Sequence, residues 1–182
     1  MGKHTRKRPL RDCVAERVPI IDLDCIRFNQ AERATLQRLA NSDNVADKRL
    51  CVDYLYCGTG VSANLRFMLE LAEVLVVNRS PNVRWGTLNC ISFGFAETHP
   101  RRLWPFIARW GCHRSRDIRA AVACCMLEDV FNVDFEETFE RSKALVEAGN
   151  IRFLFTLRTC WLTNKRHEAK IRRYVDRHPR SR

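Results

Sequence analysis

Ser80-Pro81-Asn82-Val83-Arg84 returns along the chain, and that recurrence limits the fold more than any other feature. Ser115-Arg116-Asp117-Ile118-Arg119 repeats the pattern 35 residues later, and Ala148-Gly149-Asn150-Ile151-Arg152 repeats it after another 33. A weaker copy, Ser42-Asp43-Asn44-Val45-Ala46, lies 38 residues upstream. The shared pattern is a small or capping residue, any residue, Asn or Asp, a β-branched apolar residue, then Arg. A fixed period in this range marks stacked structural units, each of which buries its apolar face on the next.

The units read as helical. Only 7 Gly and 6 Pro interrupt 182 residues, and they fall mostly between long apolar-periodic runs. Asn29 with Glu32 has the spacing of a capping box, so a helix is expected from there to about Ala40. Ser80 and Pro81 suit the N-cap and first position of another helix. Leu103, Phe106, Ile107 and Trp110 fall at helical offsets, and Asp134 with Glu137 looks like a second capping box. Residues 120–127 are apolar throughout and belong in the middle of a stack. Gly149 suits a left-handed terminator, after which Ile151, Leu154, Phe155 and Leu162 would form a stripe. The expected organisation is a basic arm at 1–12, a helical cap at 13–41, repeats at 42–79, 80–114, 115–147 and 148–178, and a frayed tail at 179–182.

Charge separates ends from body. The net charge is +11, yet residues 1–18 hold six Lys/Arg against Asp12 and Glu16, and residues 165–182 hold eight against Glu168 and Asp176. The 18 basic and 17 acidic residues between them nearly cancel. Any polyanion would therefore meet the ends: Lys3, Arg6, Lys7 and Arg8 in the arm, and Lys165, Arg166, Lys170, Arg172, Arg173 and Arg177 near the other end. Nine Cys with no C-x-x-C spacing read as reduced, buried small hydrophobes, which suits a soluble cytoplasmic protein. No apolar run is long enough to span a bilayer, so no membrane partner is expected.

Helix–turn–helix units of 33–38 residues with this pattern resemble HEAT repeats over roughly residues 42–178. The resemblance implies an all-α fold, an α-α superhelix of about four helical hairpins behind the N-terminal cap. In that family the Asn/Asp–β-branched–Arg start of each first helix is where an Asp/Asn–Arg ladder stacks, which would engage Arg84, Arg119 and Arg152 with Asn82, Asp117 and Asn150. The first repeat departs, with Ala46 in place of Arg. The family is mostly scaffolds and adaptors. A weaker resemblance to its DNA alkylation repair branch offers an enzymatic alternative, for which Trp161, Trp104, Asp117 and Arg158 supply residue types but no motif. HEAT-like phycobilin lyases are another enzymatic branch, and no residue here selects them.

No catalytic constellation, cofactor motif or metal-ligand spacing stands out, and the leaning is towards a non-enzyme. Cys112 and His113 with Cys124 and Cys125 lack the paired spacing of a zinc site. His99 sits at a helix junction, where capping is the expected role. Trp104, out of phase with its core stripe, is expected to be exposed. Arg101, Arg102, Trp104 and Arg109 on one second helix and Glu136, Glu137 and Glu140 on the next form a face of mixed sign. Such a face suits a specific protein partner better than a uniform polyanion. The expected function is a scaffold that binds a protein through its second helices. The alternative is nucleic-acid binding through the basic ends, with or without repair chemistry.

Overall fold

The computed structural model describes residues 26–178, and the arm at 1–12 lies outside them. Among the described residues the fold is all-α, helix packed on helix, with no strand. The chain divides into two compact units, Met1–Cys90 and Ile91–Arg182.

In the first unit, α1 (Gln30–Asn41) starts as the sequence predicts. The Asn29 side chain accepts from the Glu32 amide, and Glu32 returns a carboxylate to the Asn29 amide. Helix α2 (Val45–Leu55) follows, capped by Asn44. The chain then turns through two 3-10 turns and Gly60, whose φ of 72° a side chain would strain. Helix α3 (Leu65–Leu75) buries Leu65, Phe67, Met68, Leu71, Ala72 and Leu75. The segment ahead of α1 is pinned by Asn64, which is fully buried. Its Oδ1 accepts from the Phe28 amide at 3.0 Å, and its Nδ2 donates to the carbonyls of Ile26 at 2.7 Å and Gly58 at 3.1 Å. Gly58 must be glycine here, because a Cβ would stand 2.3 Å from the Phe28 ring. Helix α4 (Pro81–Phe95) carries the division between the units.

In the second unit, α5 (Pro100–Gly111) buries Leu103, Phe106, Ile107 and Trp110 on one face, as their spacing predicts. Ser115 caps α6 (Arg116–Val122). The all-apolar run then leaves α-helical geometry for a π turn, Ala123–Leu127, before α7 (Glu128–Val133). Asp134 caps α8 (Phe135–Glu147), accepting from the Glu137 amide. Gly149 has a φ of 94°, the left-handed terminator its position called for. Helix α9 (Arg152–Thr159) sits centrally, packed on α5, α6, α8 and α10 (Lys165–Asp176).

One stripe is out of phase with expectation. Ile151 is 49% exposed, and the buried face of α9 is Phe153, Leu154, Thr156 and Leu157. The left-handed turn at Gly149 delays the helix start to Arg152, so Ile151 caps the helix instead of joining its core face. The Thr156 hydroxyl fixes the new phase by donating to the buried Gly111 carbonyl at 2.6 Å. Gly111 lies so close to the Phe153 ring that a Cβ would stand 2.5 Å away.

Candidate partner-binding surface

Of the expected site residues on α5 and α8, Arg101, Trp104 and Glu137 come together. Arg101 heads α5, and its guanidinium meets the Glu137 carboxylate at 2.8 Å. Glu137 also holds Arg141, one turn further along α8, at 2.6 Å. These contacts, the Arg101 hydrogen bond first, pull the Glu137 carboxyl below its ordinary pKa. They also divert its side chain from the capping box that its position suggested: only the Asp134 half of that box forms. Glu136, on the neighbouring side of α8, reaches Lys170 of α10 at 2.6 Å. Helices α5, α8 and α10 are thus joined in sequence by ion pairs.

Trp104 is not the exposed residue its phase suggested. It is half-buried, with its ring edge-on to Phe153 at 6.1 Å and the Arg141 guanidinium 6.0 Å from its centroid. Phe153 lies on α9, so packing from outside the α5–α8 pair covers the indole. The exposed tryptophan is Trp161, at 68%, held at the end of α9 by its amide donating to Glu128 Oε1 at 2.7 Å. A loop position has no helical phase to read, so the sequence carried no signal for it.

Arg102 and Arg109 are exposed, and Arg109 lies over the Trp110 ring at 5.2 Å. Glu140 is exposed and pairs with Lys143 at 2.7 Å. The dimple lined by Pro100, Arg101, Trp104, Val130, Asp134, Glu137, Thr138 and Arg141 encloses about 10 Å³. That volume holds about one water and no organic ligand.

The basic residues of α10 are partly neutralised within the fold. Lys165 and Arg172 share Glu168, at 2.8 and 3.4 Å, and Lys170 is held by Glu136. The Lys165 hydrogen bond is the main reason the Glu168 carboxyl sits below its usual pKa. Lys170 also lies 5.3 Å over Phe135, on which His167 stacks at 3.8 Å. Arg166, Arg173 and Arg177 remain exposed. Lys3, Arg6, Lys7 and Arg8 lie outside the described residues.

His99 does not cap through its side chain. Its carbonyl accepts from the amides of Arg102 and Leu103, while its Nδ1 is buried without a hydrogen bond. Among the described residues no group of three or more His, Cys, Asp or Glu is arranged to hold a metal. Burial raises the thiols of Cys51 and Cys125 to about 12. No helix among the described residues is long and apolar enough to cross a membrane.

No protein-family model, curated protein or solved structure matches this chain.

Proposed function

We propose that this chain is a HEAT-like α-solenoid scaffold, without enzymatic activity, that binds a protein partner through its second-helix surface in the cytoplasm. The observation that carries the reading is the chain of ion pairs from Arg101 through Glu137 and from Glu136 to Lys170. It links α5, α8 and α10 and orders Arg101, Glu136 and Glu137 before any partner arrives, which lowers the ordering cost on binding. Arg102, Arg109 and Glu140 supply the exposed charges that steer and register the partner.

Affinity capture compares the wild-type chain with Arg102→Glu and Glu137→Lys. Proteins recovered by wild type should drop about tenfold with Arg102→Glu, the scale of a misplaced interface charge. Glu137→Lys also breaks the Arg101 and Arg141 pairs and should lose more. Unchanged recovery with both variants rules the surface out.

Nucleic-acid binding through the basic ends is the second reading, favoured by exposed Arg166 and Arg173 on α10 and Arg177 at its C-cap. It requires duplex affinity that falls steeply between low and physiological salt. Absence of binding at low salt eliminates it, and release of bases from alkylated DNA would replace both readings with an enzyme.

A further inference from the structure

A second cluster of cations gathers where the α5–α6 turn meets the α8–α9 turn. A surface cleft of about 430 Å³ is lined there by Cys112, Gly149, Asn150, Ile151 and Arg152. Arg119 is 94% buried, since only 6% of it is exposed, and its Nε has no hydrogen-bond partner. Its Nη1 donates to the carbonyls of His113 and Arg114, and its guanidinium lies 4.7 Å over the Phe155 ring. Arg114, Arg116 and Arg152 are exposed around it. The charges are close enough to act on one another. Burial first, then Arg116 and Arg152, lower the Arg119 pKa. Burial, then Arg114, Arg119 and Arg152, lower that of His113. Burial raises the Cys112 thiol, and Arg119 and Arg152 oppose that rise.

Like charges held together around a cleft cost stability unless an anion joins them. Arg152 is available because of how its turn is built. Arg84 and Arg119 each reach back six residues to a turn carbonyl, of Asn78 and of His113. The equivalent carbonyl for Arg152 is that of Val146, and it already accepts from the Gly149 amide at 2.9 Å. With its turn closed in this way, the third arginine of the recurring motif stands exposed on the cleft wall.

We propose that this cleft binds a phosphate monoester carried on a peptide segment of a protein partner. Arg152 on the cleft wall, with Arg116 and the buried Arg119 close enough to act on one another, gathers charge that matches a dianion in one place, which a monoester supplies and a single diester linkage does not. Nucleic-acid backbone needs a continuous basic track, and this cluster is local, with Asp117 and Glu147 exposed nearby in the sequence. Half-exposed Ile151 on the cleft wall offers an apolar contact for the residue next to the phosphate. The site uses none of the residues of the second-helix surface and stands or falls separately from it.

The test is fluorescence anisotropy with a labelled phosphoserine peptide flanked by apolar residues, its unphosphorylated twin, and free O-phosphoserine and a single-stranded oligonucleotide as competitors, all at 150 mM salt, on the order of physiological ionic strength. The phosphopeptide should bind at least about tenfold more tightly than its twin, and Arg152→Gln and Arg116→Gln should each weaken it about tenfold. Arg102→Glu should leave it unchanged. In the absence of phosphate, Arg152→Gln should raise Tm by relieving repulsion, and inorganic phosphate at ten times its Kd should raise the wild-type Tm by about 4 °C more than chloride at equal ionic strength. Equal binding of the two peptides, unchanged binding by both Arg variants, or equal competition by the oligonucleotide would overturn the proposal. Free O-phosphoserine binding as tightly as the peptide would reassign the cleft to a small ligand and overturn it too.

Discussion

Asn64→Ala should be among the most damaging single truncations in the first unit. The carboxamide is fully buried and makes three hydrogen bonds, one accepted from the Phe28 amide and two donated to the carbonyls of Ile26 and Gly58. Truncation strands one buried N–H. It also removes a donor from two carbonyls in a place that water reaches poorly. At about 1 kcal/mol net per hydrogen bond the loss is about 3 kcal/mol, and more if the Phe28 amide stays dry. For a chain of this length that lowers Tm by about 6–12 °C. The damage should be local first. Residues 26–28 are otherwise held by the Ile26 amide on the Cys57 carbonyl, Arg33 Nε on the Phe28 carbonyl, and the Phe28 ring against Gly58 and Phe67.

Calorimetry should show the first unit's transition moving down and separating from the second. Amide exchange should show Phe28 losing its protection before the α3 core does. Asn64→Asp sharpens the test, because it keeps the acceptor for Phe28 but points a carboxylate at two carbonyls. It should be worse than alanine at neutral pH and recover in acid, where the protonated carboxyl can donate again. An alanine variant within about 0.5 kcal/mol of wild type, with Phe28 still protected, would refute the reasoning, since that is the range of an inconsequential surface change.

Glu137 and Glu168 both have carboxyls held below the usual range, so the stability they contribute is present above about pH 4.5 and is lost as pH falls through their folded values. Tm measured from pH 6 to 3 should therefore fall less steeply in Glu137→Gln/Glu168→Gln than in wild type, and parallel curves would show that the pairs are energetically silent. Thiol titration with an aromatic disulfide at pH 8 should leave Cys51 and Cys125 unreacted in the folded chain while half-buried Cys112 and Cys124 react ahead of them; fast reaction of the first pair would mean that their core opens.

What the sequence made legible is what is decided locally. Asn29 and Glu32 satisfy each other across one helical turn, Gly149 takes a conformation that few other residues accept, and the α5 stripe follows from period alone. The π turn was hidden because residues 120–127 are apolar on every side. A run without a polar face gives no phase, so a change of helical pitch leaves no mark in it. Trp104 was misread because its cover comes from Phe153 on α9, a contact across nearly fifty residues that helical phase cannot express. Asn64 was invisible for the same reason: nothing around position 64 announces that its amide will be used by residues 26 and 28. The mixed-sign face was legible as composition. Its internal pairing, which engages Glu136 and Glu137 and leaves Arg102 outside the pairs, depends on ion pairs between helices far apart in the sequence.

The recurring arginine shows how one motif can serve two ends. Its spacing suggested a ladder of side chains between repeats. In the folded chain Arg84 and Arg119 are buried, and each ties its own helix start to the turn carbonyl six residues earlier. That bond gives the turn carbonyl a donor, which is one use for a guanidinium at a buried position. At the third copy the Gly149 and Asn150 amides and the Asn150 side chain close the turn, and Arg152 stands exposed near the buried, partly unsatisfied Arg119. Giving Arg152 that use should remove the site. A Gly149→Ala substitution strains the left-handed turn by about 1 kcal/mol. If the turn opens as a result, the Val146 carbonyl becomes available to Arg152 and phosphate-dependent stabilisation should fall with it. A Gly149→Ala chain that is destabilised yet keeps the full phosphate response would show that the turn and the cation cluster are independent, and that the arginine's exposure has another cause.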